Sequence, residues 1–204
     1  MTRTITLLTT SVLAVVFTML GASSFADAAI YMKIDGVSGD VTARGFEGFI
    51  ELNSFSFGTN NEVKKFGTRG TEDINIGVGE LSEFIIKKSL DRSSAKLAQF
   101  AINGNSPGQV EIHFVETAGS EGQPVPYLQY KLDRAFVKSW STSGDADDRP
   151  TEEISFYYNK IAFVYIPGGL QEPGNMMSWD IKKKTPWDVV IQAILGVFYP
   201  TQLQ

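Results

Sequence analysis

From residue 30 onward the sequence is a series of short runs rich in β-branched and aromatic residues, separated by clusters of Gly, Asn, Asp and Ser. Apolar and polar side chains alternate within these runs, most clearly in residues 49–57 and 154–159. Because successive side chains of a strand point to opposite faces of a sheet, such alternation marks strands with one buried face. The pattern is typical of an antiparallel sandwich or barrel, so we predict an all-β dominated protein. The predicted strands are residues 30–34, 49–57, 81–90, 110–117, 127–141, 152–166 and 179–182.

One segment interrupts the strand pattern and predicts a short helix. Residues 91–94 carry Asp and Ser side chains that can cap a helix over residues 95–101, and Gly104 can end it. Leu97 and Phe100 give this helix one apolar stripe. We expect it to cover an end or an open seam of the sheet structure.

A long polar stretch with five glycines, residues 58–79, lies between two of the predicted strands. It is too long for a plain hairpin, and connections of more than about 12–15 residues are usually functional or disordered. We therefore predict that this stretch is an arm that contacts another molecule. Its candidate contact residues are Asn60, Asn61, Lys64, Lys65, Phe66 and Arg69.

A shorter acidic loop, residues 143–153, joins the last two long strands. Several carboxylates in one loop suggest calcium, which takes many oxygen ligands. The loop lacks the ligand spacing of an EF-hand and contains Arg149, so we predict a solvated turn instead.

The composition excludes most classes of catalytic and metal-binding site. The chain has no cysteine, which excludes disulfides, thiolate metal sites and cysteine nucleophiles, and its single histidine, His113, excludes sites with two histidines. A formal net charge of −5 gives no overall basic surface for nucleic acid. No phosphate-binding loop, serine nucleophile motif or zinc motif is present. We therefore assign no catalytic, cofactor-binding or metal-binding residues, and we expect His113 at the surface or in an interface.

The first 28 residues have the pattern of a secretory signal peptide. Arg3 precedes an uncharged apolar run over residues 5–20, and small residues precede a cleavage position after Ala28. A membrane anchor is one alternative, although about 16 apolar residues are slightly few for a hydrocarbon core of about 30 Å. A start of translation at Met19 is another. The protein would be secreted or periplasmic if the signal peptide is used, and cytoplasmic if translation starts at Met19.

Several segments resemble one protein family, and they occur in the same order along the chain. They are YMKIDG at residues 31–36, PTE at residues 150–152 leading into ISF at residues 154–156, and WD at residues 179–180. Each motif is weak alone, but together they span most of residues 30–187. The chain resembles the haemolysin-coregulated protein (Hcp) family, the inner-tube proteins of type VI secretion systems.

The resemblance implies a compact antiparallel β-barrel with one short flanking helix over residues 29–185. It implies that six copies form a ring, that rings stack into a hollow tube, and that this tube carries effector proteins and meets sheath and spike components. It further implies that the loop starting near Gly58 reaches a neighbouring ring, and that a cytoplasmic protein would leave the cell by type VI secretion itself. The family brings no catalytic residues and no cofactor, and we expect no nucleic-acid or membrane partner for the mature protein.

Two features depart from the family. One is the signal-peptide pattern of residues 1–28, and the other is an extension at residues 186–204. Apolar residues of this extension follow helical spacing, which predicts an amphipathic helix over residues 187–198. Its apolar stripe would pack on its own barrel, or bind a neighbouring subunit, a cargo protein or a membrane surface. The candidate interface residues are Trp187, Val190, Ile191, Ile194, Leu195 and Phe198.

Three classes of function follow. The first is a structural and transport subunit of the tube, or an exported relative of it that acts as a periplasmic or extracellular binding module. The second is a secreted β-sandwich that binds carbohydrate or protein through Trp140, Trp179 and Trp187, whose rings are suited to stacking. The third is an enzyme, which we do not expect because neither metal ligands nor a nucleophile motif is visible in the sequence.

Overall fold

The computed structural model describes residues 28–61, 63–65, 74–76, 79–117, 124–166 and 176–187. The predicted signal peptide, except Ala28, and the predicted C-terminal helix, except Trp187, lie outside these residues. Within the described ranges the chain forms 13 strands and one helix, which confirms the all-β dominated fold with one short helix. The strands are β1 (Ala28–Ile34), β2 (Ile50–Leu52), β3 (Ser54–Ser56), β4 (Thr59–Asn60), β5 (Val63–Lys65), β6 (Ile74–Ile76), β7 (Glu80–Leu81), β8 (Phe84–Ser89), β9 (Gly108–Thr117), β10 (Pro124–Ser143), β11 (Thr151–Tyr157), β12 (Lys160–Tyr165) and β13 (Met176–Asp180), and the helix is α1 (Ser94–Asn103).

The longest strand, β10, belongs to two antiparallel sheets. Residues 124–135 of β10 pair with β9 along one edge, and residues 128–133 pair with β12 along the other. Residues 136–143 pair with β11 instead of β12. The register shifts on both sides of this change, and Arg134 has a φ of 50°, so an irregularity bends the strand from one sheet into the other.

The two sheets enclose one main core. The first sheet has the strand order β2-β1-β9-β10-β12-β13, and the second has the order β10-β11-β8-β3. Their outer strands β2 and β3 are separated only by Asn53, whose N–H donates to the Lys87 carbonyl oxygen in β8 at 2.8 Å. Complete closure of the sheets into a barrel stays a prediction. Fully buried core side chains include Met32, Ile50, Phe84, Ile86, Ile112, Leu132, Ile154 and Phe156.

The predicted strand at residues 49–57 is two strands in the structure. The alternation of buried and exposed side chains changes phase at Asn53. Ile50 and Leu52 face the core, whereas Asn53 and Ser54 are both exposed. At this position the chain leaves the edge strand of the first sheet, β2, and enters the edge strand of the second sheet, β3.

The predicted strand at residues 152–166 is also two strands, β11 and β12, which meet at Tyr158 and Asn159. Tyr158 is buried, and its hydroxyl donates to the Ser82 carbonyl oxygen at 2.8 Å. Burial raises the pKa of Tyr158 above its ordinary value, and the neighbouring Tyr157 adds to the shift. The hydroxyl therefore stays protonated and keeps its role as a donor.

Helix α1 confirms the predicted helix with slightly longer bounds. It ends at Gly104, which has a φ of 68° and donates its N–H to the Phe100 carbonyl oxygen at 3.1 Å. Glycine adopts this left-handed conformation without the steric cost that a side chain would add. Leu97 is fully buried against the core, whereas Ile102 is exposed. Among the described residues there is no helix with the length and apolar composition of a membrane span.

Candidate interaction surfaces

The described strands between Gly58 and Ser82 form two short antiparallel ladders, and we call this part of the chain, residues 58–82, the arm. Strand β4 pairs with β7 and β5 pairs with β6, and neither pair joins the two main sheets. At the root of the arm the Ser82 N–H donates to the Gly58 carbonyl oxygen, and the Gly58 N–H donates to the Ser82 hydroxyl, both at 2.9 Å. Residues 62, 77 and 78 between the two ladders lie outside the described residues, so the expectation that this stretch is too long for a plain hairpin stays a prediction. Both faces of β4 are exposed, so the alternation that marks a half-buried strand is absent.

The structure places four of the six candidate contact residues in the arm strands or next to them. An isolated two-stranded ribbon is at best marginally stable in water, because it buries little apolar surface. Contact with another surface would therefore stabilise the arm. Asn60 lies in β4 and Asn61 follows it, Lys64 and Lys65 lie in β5, and Phe66 and Arg69 lie outside the described residues.

A groove of about 460 Å³ lies beside the root of the arm. It is lined by Glu80 and Leu81 of the arm, by Tyr157 at the end of β11, and by Trp179 and Lys184. Tyr157 is 56% exposed. The root of the arm, the end of β11 and the turn after β13 thus meet at one end of the molecule, which we call the arm end.

The turn after β13, which we call the basic turn, carries the exposed side chains of Lys182, Lys183 and Lys184. The Asp180 carboxylate accepts the Lys183 N–H at 2.9 Å, and the Asp180 carbonyl oxygen accepts the Lys184 N–H at 2.8 Å. The Asp180 N–H donates to the Thr185 carbonyl oxygen at 2.9 Å. These bonds fix the backbone of the turn while the three ammonium groups remain in solvent.

In the structure the acidic loop is shorter than predicted and comprises residues 144–150, between β10 and β11. It lies at the opposite end of β11, which we call the acidic end. Asp145, Asp147 and Asp148 are exposed there, and the Asp145 carboxylate accepts the Asp147 N–H at 3.2 Å. The Arg149 guanidinium donates to a carbonyl oxygen of its own subunit at 3.4 Å. In the part of the chain that the structure describes, no three Asp, Glu or His side chains are grouped as metal ligands.

A buried ion pair lies next to the acidic loop. Lys88 of β8 and Glu152 of β11 are 0% and 1% exposed, and the Lys88 Nζ lies 2.7 Å from the Glu152 Oε2. The Lys88 Nζ also lies 2.8 Å from the Asp91 carboxylate and donates to the Ser94 hydroxyl at 3.1 Å. The Trp140 indole N–H donates to the Glu152 Oε1 at 2.9 Å. The network therefore joins β8, β10, β11 and the first residue of α1.

The interpretation of the acidic loop as a solvated turn is wrong for Glu152, which the structure buries. The loop ends before β11 begins, so Glu152 shares the alternation of Ile154 and Phe156, which are fully buried. In the same way Lys88 follows the buried Ile86 in β8. This alternation is the signal in the sequence that indicates both partners of the ion pair.

His113 is only 2% exposed, which corrects the expectation that it lies at the surface or in an interface. The loop at residues 37–49 covers the outer face of β9 there. The rings of Phe46 and Phe49 lie 5.9 and 5.7 Å from the imidazole ring. Strand alternation does not show whether a distant loop folds back over the outer face of a sheet, so the sequence pattern misplaced this residue.

We expect the protein to lose stability as the pH falls through the titration range of His113. Burial lowers the pKa of His113 below its ordinary value of 6.5, although Glu111 opposes the shift. A folded state that binds the proton less well than the unfolded state loses stability as the pH falls below the unfolded pKa. Between about pH 7.5 and about pH 5.5, the denaturation midpoint should fall further for the wild type than for His113→Gln.

Glu111 stays ionised in the wild type over the pH range of this comparison. Burial raises the pKa of Glu111, but His113, Lys131 and Lys33 together outweigh burial and hold the pKa below its ordinary value of 4.5. The glutamine amide of His113→Gln can still donate a hydrogen bond to Glu111, which is why glutamine is the replacement. If the two midpoints fall equally, the titration of His113 does not contribute to stability.

Trp187 is the part of the predicted C-terminal interface that falls within the described residues. Its backbone N–H donates to the Ser178 hydroxyl at 3.0 Å, and the Lys160 Nζ lies 4.8 Å from the centre of its indole ring. It packs against the small buried cluster of β12, so it contacts its own sheet. Trp140 and Trp179 also pack against the core. The remaining candidates, Val190, Ile191, Ile194, Leu195 and Phe198, lie outside the described residues.

These features define a class of antiparallel β protein. Two sheets share one long bent strand, a single short helix packs against the core, and a ribbon leaves the sheets at one end. The chain belongs to the Hcp family. The family model described as "Type VI secretion system effector, Hcp" matches residues 31–165, which confirms the resemblance seen in the sequence.

Solved structures share this fold. A type six secretion system protein is 27% identical to the chain, with a TM-score of 0.69 over 79% of this chain and 100% of its own. Hcp1 from Salmonella typhimurium is 19% identical, with a TM-score of 0.61 over 80% of this chain and 100% of its own. A type VI secretion system effector from Yersinia pestis is 20% identical, with a TM-score of 0.55 over 74% of this chain and 98% of its own. No curated protein sequence matches the chain.

Proposed function

We propose that this protein is a structural and transport subunit of a type VI secretion system. It assembles into rings of six copies, the rings stack into the inner tube, and the tube carries effector proteins. Sheath and spike components are its further partners, and it performs no catalysis and needs no cofactor. The match of the Hcp family model over residues 31–165 is the observation that carries this proposal.

The arm supports the stacking of rings. In each of its two ladders the strands pair with each other and not with the main sheets, so the arm can meet a neighbouring subunit. A contact between two different surfaces of one subunit closes into a ring when its rotation divides the circle, and it gives an open stack when it does not. The arm serves the second kind of contact.

The signal-peptide pattern of residues 1–28 favours a second form of the proposal. In that form the chain is an exported relative of the tube protein that acts as a periplasmic or extracellular binding module. The two forms differ in the N-terminus of the mature protein. A chain that starts at Met19 fits a cytoplasmic subunit exported by type VI secretion, whereas a chain cut after Ala28 fits the binding module.

We expect the protein purified after expression of the whole gene to form rings of about six copies. Light scattering coupled to size-exclusion chromatography measures the mass, negative-stain images show the rings, and mass spectrometry of the intact protein identifies its first residue. A monomer at every concentration would contradict the tube subunit and favour the binding module.

A further inference from the structure

We infer that rings stack because the basic turn of each subunit contacts the acidic loop of a subunit in the next ring. The inference rests on the proposed function, since it requires rings, and it adds the residues that join them. The partner is a second copy of this chain. The contact pairs Lys182, Lys183 and Lys184 with the acidic loop, residues 144–150.

The two charged groups lie at opposite ends of one strand. β11 begins at Thr151, directly after the acidic loop, and ends at Tyr157. The Ile181 N–H donates to the Asn159 carbonyl oxygen at 3.0 Å, which holds the basic turn just beyond the other end of β11. A strand of this length spans about 20 Å, so the two groups are too far apart to neutralise each other within one subunit.

Both groups are exposed and available to a partner. None of the ion pairs between described residues involves the lysines of the basic turn or the aspartates of the acidic loop. The carboxylates beside the turn are Glu80, which lines the groove, and Asp180, which accepts the Lys183 N–H, so the three lysines exceed the negative charge at the turn. At the acidic end the three aspartates outnumber Arg149, whose guanidinium donates to the Leu90 carbonyl oxygen, so negative charge exceeds positive charge in the loop.

The charges also determine the direction of stacking. Two basic ends repel each other, as do two acidic ends, so only an arrangement that places the arm end on the acidic end is attractive. Such a contact joins different surfaces and does not close on itself, which gives an open stack of rings.

The arm lies at the same end as the basic turn. The Tyr158 hydroxyl donates to the Ser82 carbonyl oxygen at the root of the arm, and Lys184 lines the groove between them. An arm that reaches a neighbouring ring therefore brings the basic turn toward that ring as well. Exposed ion pairs are individually weak, but a ring repeats the contact in every subunit, so the pairs act together.

Charge reversal tests this contact. One variant carries Lys182→Glu, Lys183→Glu and Lys184→Glu, and the other carries Asp145→Lys, Asp147→Lys and Asp148→Lys. All six positions are exposed, so each variant should still form rings. Each variant alone should form at least about tenfold fewer stacks than the wild type, because its two ends then carry like charges.

Mixing the two variants provides the decisive measurement. The reversed turn of one variant is complementary to the reversed loop of the other, and their unreversed ends are complementary as well. The mixture should therefore form stacks of alternating rings, which sedimentation velocity and negative-stain images can count. Glu51→Lys, at an exposed position in the middle of the β1–β2 pairing, is the control that changes charge away from both ends and should stack like the wild type.

The outcomes separate this inference from the proposed function. Absence of rings in the wild type contradicts the proposed function, and the inference fails with it. Rings that stack equally well in the wild type and both variants, or variants that do not stack when mixed, overturn the inference and leave the tube subunit in place. Stacks of the wild type should also shorten as salt rises from about 0.05 M to about 0.5 M, because salt screens exposed charges.

Discussion

Replacing Lys88 with methionine is expected to lower the free energy of unfolding by about 3–5 kcal/mol. The Lys88 Nζ lies 2.7 Å from the Glu152 carboxylate and 2.8 Å from the Asp91 carboxylate. Both carboxylates are largely buried, with side chains 0% and 8% exposed. Lys88→Met fills a similar volume but leaves two buried anions without their cation, which is much more costly than losing an exposed pair.

The same two strands provide a matched control. Lys87 pairs with Glu153 one position along β8 and β11, with a distance of 3.0 Å from Nζ to Oε2. These side chains are 59% and 50% exposed. Lys87→Met should therefore lower the free energy of unfolding by about 1 kcal/mol or less, since water solvates the remaining carboxylate. Urea denaturation of both variants measures the difference, and equal losses would show that burial does not determine the value of the pair.

The effect of Lys88→Met should be strongest at the helix. Ser94 is the first residue of α1, and its hydroxyl donates to Glu152 at 2.7 Å while it also accepts from Lys88. The network thus fixes the N-terminus of α1 against β8 and β11. In hydrogen exchange, the amides of α1 should lose protection before those of β9, which the network does not touch.

Much of the fold could be predicted because the core strands alternate in the ordinary way. Phe84 and Ile86 in β8, and Ile154 and Phe156 in β11, face one core, so their spacing indicates both the strand and its buried face. The end of α1 could be predicted from Gly104, because few other residues adopt its left-handed conformation. Each of these signals depends on residues that are neighbours in the sequence, so the sequence alone is enough to identify the element.

The errors arise where a distant segment determines the environment. His113 alternates with apolar neighbours as an outward residue does, but Phe46 and Phe49 from another part of the chain cover it. The sequence of β4 gives no strand signal for a different reason, since both of its residues are exposed and no buried face imposes alternation. Glu152 lies where the predicted acidic loop and the predicted strand at residues 152–166 overlap, and its position follows the strand pattern.

The candidate contact surfaces were predictable only in part. The length and polarity of residues 58–79 indicated an arm, and the structure describes a ribbon there. In the sequence the basic turn is visible only as three consecutive lysines, residues 182–184. Its position opposite the acidic loop depends on how β11, β12 and β13 are paired, which no local pattern reveals.

Replacing Gly39 with alanine is expected to destabilise the protein by about 3 kcal/mol, the upper end of the usual cost of overpacking. A Cβ atom at Gly39 would overlap the Phe49 carbonyl oxygen and would lie 2.5 Å from the Ile50 Cα. Both are backbone atoms, and Ile50 is held in β2 by its pairing with Met32 in β1. The clash therefore cannot be relieved by a side-chain rotation, and the loop or the edge of the sheet must move.

The loop at residues 37–49 is the element that should give way. It is folded on itself by hydrogen bonds from the Gly39 N–H to the Gly48 carbonyl oxygen at 2.8 Å and from the Val41 N–H to the Phe49 carbonyl oxygen at 3.1 Å. Its displacement would uncover the buried face of β9 that contains His113. We therefore expect Gly39→Ala to make His113 reactive toward a histidine-modifying reagent, in addition to lowering the denaturation midpoint.

Gly58→Ala is the matched control for this prediction. The nearest atom to a Cβ at Gly58 is the Ser82 hydroxyl oxygen at 4.0 Å, an ordinary contact distance. The same chemical change should therefore alter the free energy of unfolding by no more than about 0.5 kcal/mol and leave His113 protected. If Gly39→Ala were as stable as Gly58→Ala and kept His113 unreactive, the close packing of Gly39 against β2 would not be what holds the loop over β9.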